Sequence, residues 1–256
     1  MNKTKWIIII SVIVVTTSFV YLTRDENDQE GESIQKEEMV KMQNQKIMEY
    51  TDLEAKEAHE LIMSESDLVI IDVSPRFEKG HIPGAINYYV GDGTLDANIS
   101  SLDKSKIYLV YCHVDRASIA GATKLVEAGF PKVYRLKGNY SAWLSDGYPI
   151  EVEIKSVGDY NGSALSTRSF LDGKFKHMVK AKISDPAEGK FYEGWLVKGT
   201  SFFSTGKLIK SGEFYRLGFE SDDDSRDYKS IVITEETESD GLDGKPETHV
   251  LEGEFE

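Results

Sequence analysis

Ile107-Tyr108-Leu109-Val110-Tyr111-Cys112-His113-Val114-Asp115-Arg116-Ala117-Ser118 is the stretch on which the reading of this chain turns. From Ile107 to Tyr111 no charged or amide residue interrupts the apolar and aromatic run, which is the pattern of a strand buried on both faces. Cys112 ends that run, and Ile119, Ala122, Leu125 and Val126 then recur at helical spacing until Gly129. The same alternation precedes it. A helical stretch from Ala55 to Met63 places Ala58, Leu61 and Ile62 on one side, and the short apolar run Leu68-Val69-Ile70-Ile71 closes at Asp72. Fully apolar strands alternating with helices predict a mainly parallel α/β sheet, and sites in such sheets lie at the carboxyl ends of strands. Cys112 stands at one.

Cys112 is the single cysteine in 256 residues, which excludes an internal disulfide framework and a cysteine-rich zinc site. Between a strand and a helix expected to begin near Ser118, its sulfur would face helix amides and the positive end of the dipole, a setting that favours an anion. A free thiol with a pKa near about 8.5 is only a few per cent ionised at neutral pH, and lowering it by about two units would make most of it thiolate. His113 and Arg116 would add positive charge, whereas Asp115 would oppose ionisation if its carboxylate pointed at the sulfur. The competing reading is a small buried residue capping a strand.

Several motifs together resemble the rhodanese family: Ile70-Ile71-Asp72-Val73, Gly80-His81-Ile82-Pro83-Gly84-Ala85-Ile86-Asn87 and Val110-Tyr111-Cys112, in that order. The likeness continues through Ser118-Ile119-Ala120, Ala128-Gly129-Phe130, Val133-Tyr134-Arg135-Leu136-Lys137-Gly138 and Ala142-Trp143. The resemblance implies an α/β domain with a central parallel sheet and a sulfurtransferase of the thiosulfate sulfurtransferase kind. In it Cys112 takes a sulfane sulfur from a small anion or persulfide donor and passes it to a thiol or cyanide-like acceptor. It further implies a binding loop made by the amides of His113, Val114, Asp115, Arg116, Ala117 and Ser118, with no metal or organic cofactor. Asp72 and His81 belong to the motifs, where such residues more often order turns and strand ends; with Arg76 they are carried as supporting positions.

The loop departs from the family pattern, which has Gly three residues after the cysteine and Arg five after it; here those positions are Asp115 and Ala117, with Arg116 one place early. Asp tolerates a positive φ better than most residues, so the loop backbone can be kept. Arg76, in Ser74-Pro75-Arg76, is the nearest substitute for the missing Arg. These departures motivate an alternative function, a non-catalytic rhodanese-fold module that senses sulfur species or binds a protein. Phosphatases that use an Arg six residues after the cysteine are disfavoured because that position is Ser118.

At the N-terminus, Lys3 and Lys5 precede the uncharged run Trp6 to Leu22, which as a helix would reach roughly 25 Å and reads as a membrane span. The positive flank is N-terminal, and Asp25, Glu26 and Asp28 follow Arg24, so the N-terminus is expected in the cytoplasm and the remainder outside it. A cleaved signal peptide is the rival, though no Ala-x-Ala site follows the run. The expected organisation is an anchor at 1–24, a charged stalk at 25–49, the rhodanese-like domain at 50–150 and a β-rich domain at 151–256. An exposed thiol outside the cytoplasm is a liability unless it serves a purpose, which favours the reactive reading of Cys112. The formal net charge of −14 argues against nucleic acid as a partner.

Past Pro149, Phe175, Val179, Ala181 and Ile183 alternate with Lys176, Met178, Lys180 and Lys182 in strand period, with His177 breaking the apolar series. Similar runs at Phe191 to Lys198, Glu213 to Phe219, Ser230 to Thr234 and His249 to Gly253 predict an all-β sandwich. Residues from about 156 to 256 weakly resemble the extracytoplasmic domain of anti-sigma-K-type proteins through Gly194-Trp195-Leu196-Val197 and Ile231-Val232-Ile233-Thr234; with no sigma-binding segment ahead of Trp6, sigma control is not implied. An envelope protein partner is expected for this region. His59, His177 and His249 lack metal-ligand spacing, and Asp222 to Asp224 lack the Gly and terminal Glu of a calcium loop.

Overall fold

The computed structural model describes residues 49–256. The apolar run read as a membrane span, and all but the last residue of the stalk, lie outside the described residues. Among the described residues no helix is long and apolar enough to cross a membrane.

The first part of the fold is built from β1 (Thr51–Leu53), α1 (Ala55–Ser64), β2 (Leu68–Asp72), a 3-10 turn (Phe77–Lys79), β3 (Ile86–Asn87), α2 (Thr94–Ile99), β4 (Ile107–Tyr111), α3 (Asp115–Glu127), β5 (Val133–Leu136) and α4 (Asn139–Ser145). The five strands form one parallel sheet in the order β1-β5-β4-β2-β3, so β4 and the cysteine that follows it lie at the centre. Helix α1 starts at a capping box in which the Glu54 amide donates to the Glu57 carboxylate at 2.9 Å, which satisfies an amide the helix would otherwise leave unpaired. Helix α3 starts at Asp115, three residues earlier than the sequence suggested, with Val114 as its N-cap. That shortens the loop after Cys112 to two residues.

The second part comprises β6 (Ile150–Ser156), β7 (Gly162–Leu171), β8 (Lys174–Ile183), β9 (Lys190–Lys198), β10 (Ser201–Lys207), β11 (Ile209–Ser211), β12 (Phe214–Ser221), β13 (Ser230–Thr237) and β14 (Thr248–Glu254). The expected sandwich is corrected here: these strands make one nine-stranded antiparallel sheet, in the order β10-β9-β13-β14-β6-β7-β8-β12-β11, that curls nearly into a barrel. Its ends approach where Phe203 of β10 meets Phe219 of β12, ring centroids 5.6 Å apart. Strand alternation reveals that one face is buried but not whether it meets a second sheet or its own sheet curled over. Gly194 marks the closure, since a Cβ there would lie 2.7 Å from both Leu217 of β12 and Thr205 of β10. Along β8 the alternation is unbroken, because His177 points inward and is fully buried.

One hydrophobic core runs through both parts. Tyr111, Tyr140 and Trp143 from the α/β side pack in the same cluster as Ile150, Val152, Phe175 and Phe255. The Gly80-His81-Ile82 segment docks on β6 through a two-way backbone pair, His81 N to Glu151 O at 3.0 Å and Glu151 N to His81 O at 2.8 Å.

Candidate active site

Cys112 follows β4 directly and is 1% exposed. Its backbone is fixed from three sides: the Tyr140 amide donates to the Cys112 carbonyl at 3.0 Å, the Cys112 amide donates to Asn139 Oδ1 at 3.2 Å, and the Val73 amide donates to the Tyr111 carbonyl at 2.9 Å. Asn139 reaches this place because Gly138 (φ 72°) and Asn139 itself (φ 57°) both take left-handed backbone, which turns the chain sharply into α4.

The Asp115 carboxylate is held by Asn139 and Arg135. Its Oδ1 accepts from Asn139 Nδ2 at 2.7 Å and from Arg135 Nη1 at 2.9 Å, while Arg135 also grips both oxygens of Asp52, at 2.7 and 2.6 Å. Ser118, fully buried, donates its hydroxyl to the Asp115 carbonyl at 3.0 Å and accepts from Arg135 at 3.3 Å. The family's glycine is thereby replaced by a residue that ties the start of α3 to β5 and α4. The positive φ expected of Asp115 is not used: among the described residues only Asn139 and Asp172 adopt one without being glycine. Arg116 and Val114 are exposed, and Arg116 makes no ion pair among the described residues. Ala117 packs against the cluster that contains Cys112.

Burial pushes the Cys112 thiol above its ordinary value and outweighs the backbone hydrogen bonding of Val114 and His113, which draws it down, while the nearby Asp72 charge adds to the rise. Burial thus decides the sign of a balance that the sequence leaves open. His113 is corrected as a source of charge. Burial first and Arg76 second push it down to about 4, so it is neutral at pH 7. Asp72 is fully buried; its Oδ1 accepts from the Ser74 amide at 2.8 Å, its Oδ2 has no hydrogen-bond partner among the described residues, and burial raises its pKa to about 6. His81 stacks on Phe77 with ring centroids 3.7 Å apart and places Nε2 3.4 Å from Glu151, which makes it part of the contact with β6.

Arg76 and His113 are brought together by a residue that sequence reasoning missed. The Glu256 side chain pairs with Arg76 through one carboxylate oxygen and lies 3.4 Å from His113 Nδ1 with the other. Nothing in the sequence signals that contact, because it depends on how β14 ends against the α/β sheet. Asn139 had a signal in its place after Gly138, ahead of a helix.

The family model described as a rhodanese-like domain matches residues 54–146. Thiosulfate sulfurtransferase GlpE of Coxiella burnetii is 36% identical over 98 residues, which cover 38% of this chain and 89% of that protein. The chloroplastic thiosulfate sulfurtransferase 16 of Arabidopsis thaliana is 31% identical over 102 residues, covering 36% and 85%. Among solved structures, that of the Alr3790 protein from Anabaena sp. shares 32% identity, covers 39% of this chain and 91% of its own, and has a TM-score of 0.36.

Proposed function

This chain belongs to the rhodanese-like family through residues 54–146, and from that premise we propose that it is a sulfurtransferase that carries sulfur on Cys112. The Cys112 thiolate attacks the sulfane sulfur of a donor, the donor's S–S bond breaks, and a persulfide forms as sulfite or a thiolate leaves with the bond's electron pair. An acceptor thiolate then attacks the outer sulfur and returns Cys112 to thiolate. The observation that carries this reading is the place of Cys112, directly after the central strand β4 and two residues ahead of the N-cap end of α3. Amides and a helix N-terminus stabilise negative charge on the reacting sulfur and on the persulfide that replaces it.

We place the chain in the cytoplasmic membrane through residues 6–22, N-terminus inside, with the remainder outside and an envelope protein as the partner of the β-rich region. The support is the uncharged run behind Lys3 and Lys5. Protease added to intact spheroplasts is expected to digest the folded part; complete protection would overturn this placement.

Burial of the thiol favours a second reading, a rhodanese-fold module that binds sulfur species or a protein without turnover. One experiment separates them. The full-length chain is incubated with thiosulfate or polysulfide, Cys112 is inspected by mass spectrometry for the gain of one sulfur atom, and transfer to cyanide or a thiol is timed. The expected result is a sulfur adduct on Cys112 and a rate that Cys112→Ser abolishes. No adduct from any donor would leave the binding module as the function.

A further inference from the structure

Glu256 reaches the cysteine loop from the other sheet, and its placement is built. Phe255 is fully buried and donates its amide to the Lys229 carbonyl at 2.9 Å, while the Arg168 guanidinium lies 4.1 Å from the Phe255 ring centroid. The Glu256 amide then donates to the Lys79 carbonyl at 2.9 Å, inside the 3-10 turn that follows Arg76. From this fixed backbone the side chain pairs with Arg76 and lies against His113, the first residue after the nucleophile.

The charges beside the loop can be accounted for one by one. Arg135 is taken by Asp52 and Asp115, His113 is neutral, Arg76 is matched by Glu256, and Arg116 is exposed on α3 with no ion pair among the described residues. The guanidinium on the His113 side of the loop is therefore already neutralised by a carboxylate of the chain itself. Any anion approaching along that side meets a negative group where a positive one would have served it.

We propose that Glu256 is a specificity-determining residue: its carboxylate holds the anion position between Arg76 and His113, so that small dianionic donors such as thiosulfate are disfavoured against donors of lower charge. The proposal rests on the sulfurtransferase reading for its consequence, but the charge selection at Cys112 stands apart from turnover. The side chain has somewhere to move, since Glu256 also walls a cavity of about 490 Å³ with Leu144, Tyr148, Arg168 and Arg226. Arg168 donates Nη1 to the Tyr228 carbonyl at 3.1 Å but makes no ion pair among the described residues, so a displaced carboxylate would meet an unpaired positive charge there.

Two alkylating reagents of nearly equal size read the charge selection directly. Iodoacetate is an anion and iodoacetamide is neutral; each forms a C–S bond to the thiolate and releases iodide. With the full-length chain, Glu256→Gln keeps the backbone bond to Lys79 and the side-chain shape. It is expected to raise the iodoacetate-to-iodoacetamide rate ratio at Cys112 by about five- to tenfold, the scale set by removing one nearby charge and freeing Arg76. The KM for thiosulfate should fall in parallel, with kcat little changed. An unchanged rate ratio overturns the proposal, and so does a variant whose Cys112 reacts with neither reagent. If no variant transfers sulfur, the sulfurtransferase reading fails while the alkylation ratio still decides the role of Glu256.

Discussion

The two sheets bury apolar surface by different rules, and the contrast explains where the chemistry sits. In β4 every residue after Ile107 is buried, because helices cover both faces of the parallel sheet. In β8 buried and exposed residues alternate from Lys174 to Lys182, because only the inner face of the curled sheet is covered. Where both faces are covered, polar groups can gather only at strand ends, and Asp72 and Cys112 end neighbouring strands. Where one face is open, polar groups spread over the surface, and those turned inward, such as Arg168 and His177, which face each other across β7 and β8, lie along the strands and not at their ends. The first arrangement concentrates reactive groups; the second supplies surface and reach.

The contrast breaks down at the shared core, and the largest expected effect tests that. Phe255 lies between the sheets, fully buried under Arg168. Phe255→Ala should destabilise the chain by about 3–5 kcal/mol, the usual cost of emptying a buried aromatic site. Because Trp143 and Phe255 belong to one cluster, denaturant unfolding followed by far-ultraviolet circular dichroism and by tryptophan fluorescence should give coincident curves, in the parent and in the variant. Two separated transitions would show that the sheets are independent units, and that the core does not couple them.

The same contrast governs what the sequence could reveal. The parallel sheet was legible because its strands are continuous apolar runs and its motifs occur in a fixed order, so β2, β4 and the cysteine at the end of β4 could be placed before any coordinates. The curled sheet was legible only as strands. Alternation in β8 named the inward residues, but closure depends on the contact between Phe203 and Phe219, which no local pattern encodes. At the site, the loop residues were found and their charges were not. His113 looked cationic until burial was known, and Asp115 looked opposed to the thiolate until Arg135 and Asn139 were seen to hold it. Glu256 was invisible, since a side chain delivered by the end of another sheet has no signature near the nucleophile.

Each sheet carries a histidine kept neutral by its surroundings, and these give the smaller effect that sharpens the comparison. His177, between β7 and β12, has its Nε2 2.9 Å from Ser166 Oγ; burial, then the charge of Arg168, pushes its pKa down to about 3. His113 is pushed down to about 4 by burial and then Arg76. In the unfolded chain both would titrate near about 6.5, so as pH falls the unfolded state takes up the proton first and stability declines. At pH 5 each histidine should cost about 2 kcal/mol relative to neutral pH. Asp72, raised to about 6, opposes this trend between the ordinary carboxylate range and pH 6, but it is common to all variants and cancels when they are compared. His177→Gln and His113→Gln should therefore each lose less stability than the parent between pH 7 and pH 5, measured by urea unfolding. Below about pH 4 the two part: the contribution of His113 is complete, while that of His177 continues to fall toward about pH 3. A His177→Gln variant with the parent's acid slope would mean that the interior of the curled sheet admits the proton, and so is wetter than the parallel sheet it packs against.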